Sequence, residues 1–184
     1  MKDKKVKELM IPLSDYATVG ESDTLAQAIK ALKTAQADTK FIHKHRAVLV
    51  FDQDNKIVGK LGYRGILKAL EPKYRQFEHA EDTGTIGLSR FGFNYDFLHS
   101  LVDRLALWDE SMESLVKQAA GLKVGEVMST PSKGEYVNPE APVAEAVHQF
   151  ILGCHQSLLV GEEKKVVGII RLADIFDLVS DLVK

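Results

Sequence analysis

Only one cysteine, Cys154, occurs in the chain, which excludes an intrachain disulfide and a Cys-based zinc site. It lies in the apolar run Phe150-Ile151-Leu152-Gly153-Cys154 and reads as a small core residue. An excess of charge of one sign is also lacking: 24 Lys and Arg stand against 26 Asp and Glu. A net charge of −2 gives no case for nucleic-acid or anionic-membrane binding. No apolar stretch approaches the roughly 20 residues that a spanning helix needs. The charged start Met1-Lys2-Asp3-Lys4-Lys5 leads into no signal-peptide core, so a cytoplasmic address is expected. The recurring catalytic signatures are missing too. There is no glycine-rich phosphate loop, no Gly-x-Ser-x-Gly elbow, no paired-histidine helix motif and no nucleophile with its base, so an enzyme is not expected. His43 and His45 would share one face of a strand, but no third ligand accompanies them, and no metal site is expected.

What is present is a repeat. Val6-Lys7-Glu8-Leu9-Met10 recurs as Val124-Gly125-Glu126-Val127-Met128, and Thr24-Leu25-Ala26-Gln27-Ala28-Ile29 recurs at the same interval as Pro142-Val143-Ala144-Glu145-Ala146-Val147. Val48-Leu49-Val50 matches Leu158-Leu159-Val160, and Ile57-Val58-Gly59 matches Val166-Val167-Gly168, both at a shorter interval. The first copy therefore carries extra residues in its middle. Two copies of one unit predict a pseudo-symmetric pair with related crevices at its centre.

Each copy reads as a leading turn, an extended stretch, a capped helix, two short strands and a closing helix. Ser22 or Asp23 is expected to cap the first helix, whose face carries Leu25, Ala28, Ile29 and Leu32. In copy two, Asn138 or Glu140 leads into a helix with Pro142 in its first turn. Asp52-Gln53-Asp54-Asn55 and Gly161-Glu162-Glu163-Lys164 are turns between strands. The expected fold is α/β, two β-α-β-β-α repeats over residues 1–70 and 122–184 with a helical insert over 71–121. In the insert, a helical pattern runs from Asn94 to Gly121 with a break near Trp108-Asp109. Its apolar face must pack on the repeats or on a second chain.

The two leading motifs, the capped helices and above all Gly168-Ile169-Ile170-Arg171-Leu172-Ala173-Asp174-Ile175 resemble the cystathionine β-synthase (CBS) domain pair, or Bateman module. The family's closing motif is Gly, two apolar residues, Ser or Thr, two variable residues and Asp, at a strand-to-helix junction. The resemblance covers everything except the insert. It implies a regulatory module without a required cofactor that binds an adenosyl ligand: AMP, ADP, ATP or S-adenosylmethionine. It also implies a homodimer and a protein target, signalled to by a conformational shift. It assigns the ribose to Asp174. Arg171 stands where the family has Ser or Thr, and either grips a phosphate as a bidentate fork or fills the space a phosphate would take.

Gly168 and Ile170 are expected beside the ligand, with Lys133 and Tyr136 flanking it from the stretch that leads into copy two. Each has a plainer reading. Asp174 could simply stabilise its helix start by about 0.3–1 kcal/mol, Gly168 could be a tight strand exit, and Lys133 and Tyr136 could be generic loop. The basic cluster His43-Lys44-His45-Arg46 could meet a phosphate but reads better as a solvated turn. In copy one the matching stretch Gly59 to Ile66 has Gly62 at the Ser/Thr position and Gly65 at the Asp position, so at most one adenosyl site is expected. The alternative is a structural interaction module with degenerate sites that acts through the insert.

Overall fold

The apolar runs of each repeat pair as an antiparallel hairpin, and the two hairpins form the centre of the molecule. In the computed structural model residues 4–37, 43–77, 100, 102–162 and 165–183 are described. The chain order is a 3-10 turn (Val6–Glu8), β1 (Ile11–Pro12), a second turn (Leu13–Asp15), β2 (Thr18–Gly20), α1 (Leu25–Ala37), β3 (Ala47–Phe51), β4 (Ile57–Gly62) and α2 (Tyr63–Leu70). A 3-10 segment (Pro72–Phe77) leaves copy one, and α3 (Met112–Ala119) leads back. Copy two follows as α4 (Val124–Val127), a turn (Lys133–Glu135), β5 (Tyr136–Val137), α5 (Val143–Gly153), β6 (Ser157–Glu162), β7 (Lys165–Arg171) and α6 (Leu172–Val183).

One sheet has the order β2-β3-β4 and the other β1-β7-β6-β5, so the first copy lends β1 to the sheet of the second. β1 pairs antiparallel with β7, Pro12 opposite Gly168. The exchange is reciprocal: Ser129 of copy two pairs with Lys60 of β4 through two 2.9 Å backbone hydrogen bonds. Val6, Leu9 and Met10 accordingly pack in the core of copy two with Val143, Phe150 and Ile170. Val124, Val127 and Met128 pack in the core of copy one with Leu25, Val50 and Leu61. Lys5 and Lys7 also reach across to Glu140, each at 2.5 Å. The limits of each repeat in the chain are thus not the limits of its core. A third cluster, with Leu49, Leu159, Ile169, Ile11 and Tyr16, joins the two sheets.

The glycine of each hairpin explains why the repeat carries it. A Cβ on Gly59 would stand 2.2 Å from Met128 Sδ, and one on Gly168 would stand 2.9 Å from Met10 Sδ and 2.5 Å from the Ile11 carbonyl oxygen. The methionine that ends each leading motif therefore lies on the glycine of the other copy.

Three expectations need correction. The first helix is capped by Thr24, not by Ser22 or Asp23: Thr24 Oγ1 accepts from the Gln27 amide (3.2 Å) and Gln27 Oε1 accepts from the Thr24 amide (2.7 Å). Asp23 instead accepts from the Gly20 amide. Cys154 is exposed rather than buried, because it ends α5 in the left-handed conformation (φ 54°) and so turns away from the apolar face. Pro142 stands at the N-cap of α5, one position before its first turn.

The insert docks on its own chain. Leu115 and Ala119 of α3 belong to the first core, with Trp108 against them. The expected break is present, with left-handed backbone at Ala106 (φ 48°) and Trp108 (φ 61°). The buried Glu71 carboxylate holds it by accepting from the amides of Trp108 (2.8 Å) and Lys73 (3.1 Å), and the Trp108 indole donates to Tyr74 Oη (3.0 Å). Burial opposes ionisation of Glu71, but those amide donors and the Lys73 ammonium hold its pKa below the ordinary carboxylate value. The first part of the predicted insert helix, with Phe97, Leu98 and Leu101, lies outside the described residues, as do His79 and His99.

Candidate functional site

β7 ends at Arg171 and α6 begins at Leu172, so the motif folds as the strand-to-helix junction it resembles. Asp174 lies in the first turn of α6, where its Oδ2 accepts from the Arg171 amide at 3.0 Å. The same carboxylate meets the Arg171 guanidinium along one edge: Nε is 2.9 Å from Oδ2 and 3.1 Å from Oδ1, and Nη2 is 2.5 Å from Oδ1. Arg171 Nη1 donates to the His43 carbonyl at 2.7 Å. The two side chains retain only 11% and 14% of their exposure, so the pair is largely shielded from water. The residues assigned to ribose and phosphate therefore hold each other.

Copy one supplies the facing wall. Tyr16 packs edge-on against His45, with ring centroids 4.4 Å apart at 82°. Burial pushes the Tyr16 phenol up to about 12; nearby Arg171 works against that shift and Asp174 adds to it, so the hydroxyl lies within their field. His45 is 1% exposed, which corrects the reading of residues 43–46 as a solvated turn. That turn leads directly into β3, and its alternate side chains face inward; Lys44 and Arg46 remain exposed. His43 Nε2 lies 2.8 Å from Asp177 Oδ2, at ion-pair distance but without hydrogen-bond alignment. Beside Tyr16 and His45 opens a cleft of about 650 Å³, walled by Ser14 to Thr18 and by Gln27, Lys30 and Thr34 of α1.

The other named residues fall elsewhere. Ile170 is fully buried in the core of copy two, and Gly168 is covered by Met10 and Ile11, so neither offers a surface to a ligand. Gly168 does allow a close backbone approach, but the backbone is that of β1. Lys133 and Tyr136 flank Glu135, which belongs to the pseudo-equivalent crevice. There Gly134 takes the place of Tyr16 and His155 that of His45, a Cβ on Gly134 lying 4.0 Å from His155 Nε2. Its junction residues are Gly62 and Gly65, and its charge is an ion pair between copies: Lys60 Nζ meets Glu135, with side chains 12% and 16% exposed, and Ser157 O lies 3.4 Å from the ammonium. Burial opposes ionisation of Glu135, but the Lys60 ammonium and the Ser132 amide outweigh it and hold the carboxyl below its ordinary value.

Tyr16 is the functional candidate that the sequence reading missed. Its signal was an aromatic residue in the stretch leading into copy one, at a position where copy two has glycine. Among the described residues there is no cluster of His, Cys, Asp or Glu that could hold a metal ion, and no helix long and apolar enough to cross a membrane.

Paired repeats that exchange their leading segments, each closed by a strand-to-helix junction, define a tandem-repeat α/β architecture. The family model of the CBS domain matches residues 6–72 and 124–181, and the chain belongs to the CBS-domain family. A CBS-domain protein from Bacillus anthracis is similar in structure, with TM-score 0.63 and 18% identity, covering 98% of this chain and 95% of that one. CBSX2 in complex with AMP gives TM-score 0.59 and 15% identity over 98% of both chains. The CBS domain of a membrane protein from Sphaerobacter thermophilus gives 0.60 and 22%, over 96% of this chain and 88% of that one. Comparison with curated proteins finds no match.

Proposed function

We propose that the chain is a regulatory module that binds an adenosyl ligand at the junction of its two copies, where Arg171 and Asp174 meet Tyr16 and His43. The observation that carries this is the placement of Asp174. The only closing-helix junction with a carboxylate and a cation faces Tyr16 and His45, beside a cleft of about 650 Å³. The cleft is walled by copy one and reaches the junction through Tyr16 and His45, and its volume falls within the roughly 300–1,000 Å³ of small-molecule sites. A similar fold has been crystallised with AMP, which supports the choice of ligand class. The site draws Tyr16 and His43 from one copy and Arg171 and Asp174 from the other. A ligand that favours one arrangement of these groups shifts the equilibrium between arrangements of the copies, which a protein partner can read.

The module acts as a homodimer in this proposal. The closing helices leave apolar faces exposed, Tyr63 and Leu67 on α2 and Phe176, Val179 and Leu182 on α6. Arg64 and Lys68 flank the first face, and Asp177 and Asp181 the second. Opposite charges beside matching apolar stripes fit α2 of one protomer to α6 of its partner, a self-complementary two-fold contact.

The test of the ligand reading is a thermal-shift series with AMP, ADP, ATP and S-adenosylmethionine, on the natural chain and on Asp174→Ala. A ligand at 100 times its Kd adds about 2.7 kcal/mol to the folded state. A shift lost in the variant supports the reading. One observation favours the second reading, a structural module with degenerate sites: Arg171 already occupies the carboxylate of Asp174. Absence of any shift with all four compounds would support that reading instead.

A further inference from the structure

The Arg171–Asp174 pair selects which adenosyl compounds can enter. Asp174 can hold a ribose only if its two oxygens are released from the Nε–Nη2 edge of Arg171, and that edge is shielded from water. A ligand that takes the carboxylate and offers no charge in return deprives a desolvated guanidinium of the Asp174 charge. A neutral ribose offers hydroxyl acceptors but no charge. A phosphate supplies the charge, and its oxygens match the same planar edge as a carboxylate does. The Arg171 Nη1 bond to the His43 carbonyl (2.7 Å) does not involve Asp174, so the guanidinium can keep that anchor while its other edge changes partner.

We infer that Arg171 is a specificity latch: the ligand must carry a phosphate, which takes Asp174's place on Arg171 and so frees Asp174 for the ribose hydroxyls. The exchange is non-covalent and conserves charge, one anion replacing another on one cation. It is also local, since Arg171 and Asp174 are three residues apart across one junction, so the latch opens without separating the copies. The inference rests on the ligand reading above but makes a separate demand. Adenosine and AMP share base and ribose and differ only in the group that opens the latch.

The experiment is calorimetric titration of the full chain with adenosine and with AMP, on the natural protein, Arg171→Thr and Arg171→Met. In the natural protein AMP is expected to bind at least about thirtyfold more tightly than adenosine, the lower end of what leaving one buried charge unpaired costs. In both variants adenosine should tighten, and in Arg171→Thr the ratio should fall below about threefold as the latch and its phosphate contact disappear together. Should the variants fail to fold, inorganic phosphate serves instead: added to the natural protein, it should open the latch in trans and tighten adenosine. Equal affinities for adenosine and AMP in the natural protein would overturn the latch and leave the ligand reading intact. No binding of adenosine, AMP, ADP, ATP or S-adenosylmethionine to any of the three proteins would overturn the ligand reading, and the latch with it.

Discussion

At the junction that closes copy two, an arginine and an aspartate three residues apart hold each other; at the same place in copy one stand Gly62 and Gly65. Copy one does not lack a shielded ion pair. Its pair, Lys60 with Glu135, runs from β4 of one copy to the leading turn of the other. The difference lies in what each pair ties together. Opening Arg171–Asp174 moves one side chain, whereas opening Lys60–Glu135 breaks a tie between the copies next to the Lys60–Ser129 backbone pairing. In the proposed latch one crevice exchanges a partner, while the other is tied shut between the copies.

The largest effect should come from the glycines, and it separates the copies. Gly168→Ala drives a Cβ to within 2.5 Å of the Ile11 carbonyl, part of the β1–β7 pairing that cannot yield without breaking a sheet edge. Gly59→Ala meets chiefly the flexible side chain of Met128. Urea denaturation should show a loss of about 3 kcal/mol for Gly168→Ala and about 1 kcal/mol for Gly59→Ala. Equal losses would mean that the two interlocks are equivalent.

Next in size is the junction itself. Asp174→Ala removes the carboxylate from a shielded guanidinium that keeps the His43 carbonyl, at a cost of about 2 kcal/mol. Gly65→Ala at the matching position should change stability by less than about 0.5 kcal/mol, because the helix-propensity gain offsets a 3.0 Å approach to Leu61 Cδ1. The same denaturation series reads both.

Much of this asymmetry was legible in the chain. The hairpins, the closing helices and the contrast of Asp174 with Gly65 all follow from residues near each other in sequence. What was not legible depends on the exchange of leading segments. Nothing local to Tyr16 announces that it faces Arg171 and Asp174 of the other copy, and nothing local to Gly168 announces that Met10 lies on it. Lys133 and Tyr136 were grouped with Asp174 because they share its repeat, yet Glu135 between them pairs with Lys60 of the other copy, away from the Asp174 junction. Cys154 was misread for a different reason: helix-end geometry, not hydrophobicity, decides where it points.

A smaller effect reads the Lys60–Glu135 pair by pH. The lowered pKa of Glu135 means that its contribution is fully present above the ordinary glutamate value of 4.5 and is lost as pH falls through the lowered one. Lys60→Met should reduce stability at neutral pH by about 1 kcal/mol, a discounted figure for a shielded but not fully buried pair. It should also flatten the decline between neutral and acidic pH, because the hydrogen bond and charge that depress Glu135 are gone. An acid limb as steep as that of the natural protein would remove Lys60 from the account.

The smallest effect on folding should be the most informative about assembly. Phe176 and Leu67 are both more than half exposed on closing helices of opposite charge, so replacing either with serine should leave monomer stability within about 0.5 kcal/mol of the natural chain. If α2 of one protomer meets α6 of its partner, each single substitution damages both symmetric contacts at once, and each alone should move the dimer toward monomer in light scattering. If like helices met instead, α2 on α2 would set Arg64 and Lys68 against their own copies, α6 on α6 would do the same for Asp177 and Asp181, and raising the salt concentration would strengthen the dimer. The proposed pairing has the opposite signature: salt should weaken it. Arg64→Glu should weaken it at low salt, and adding Asp177→Lys to the same chain should restore it.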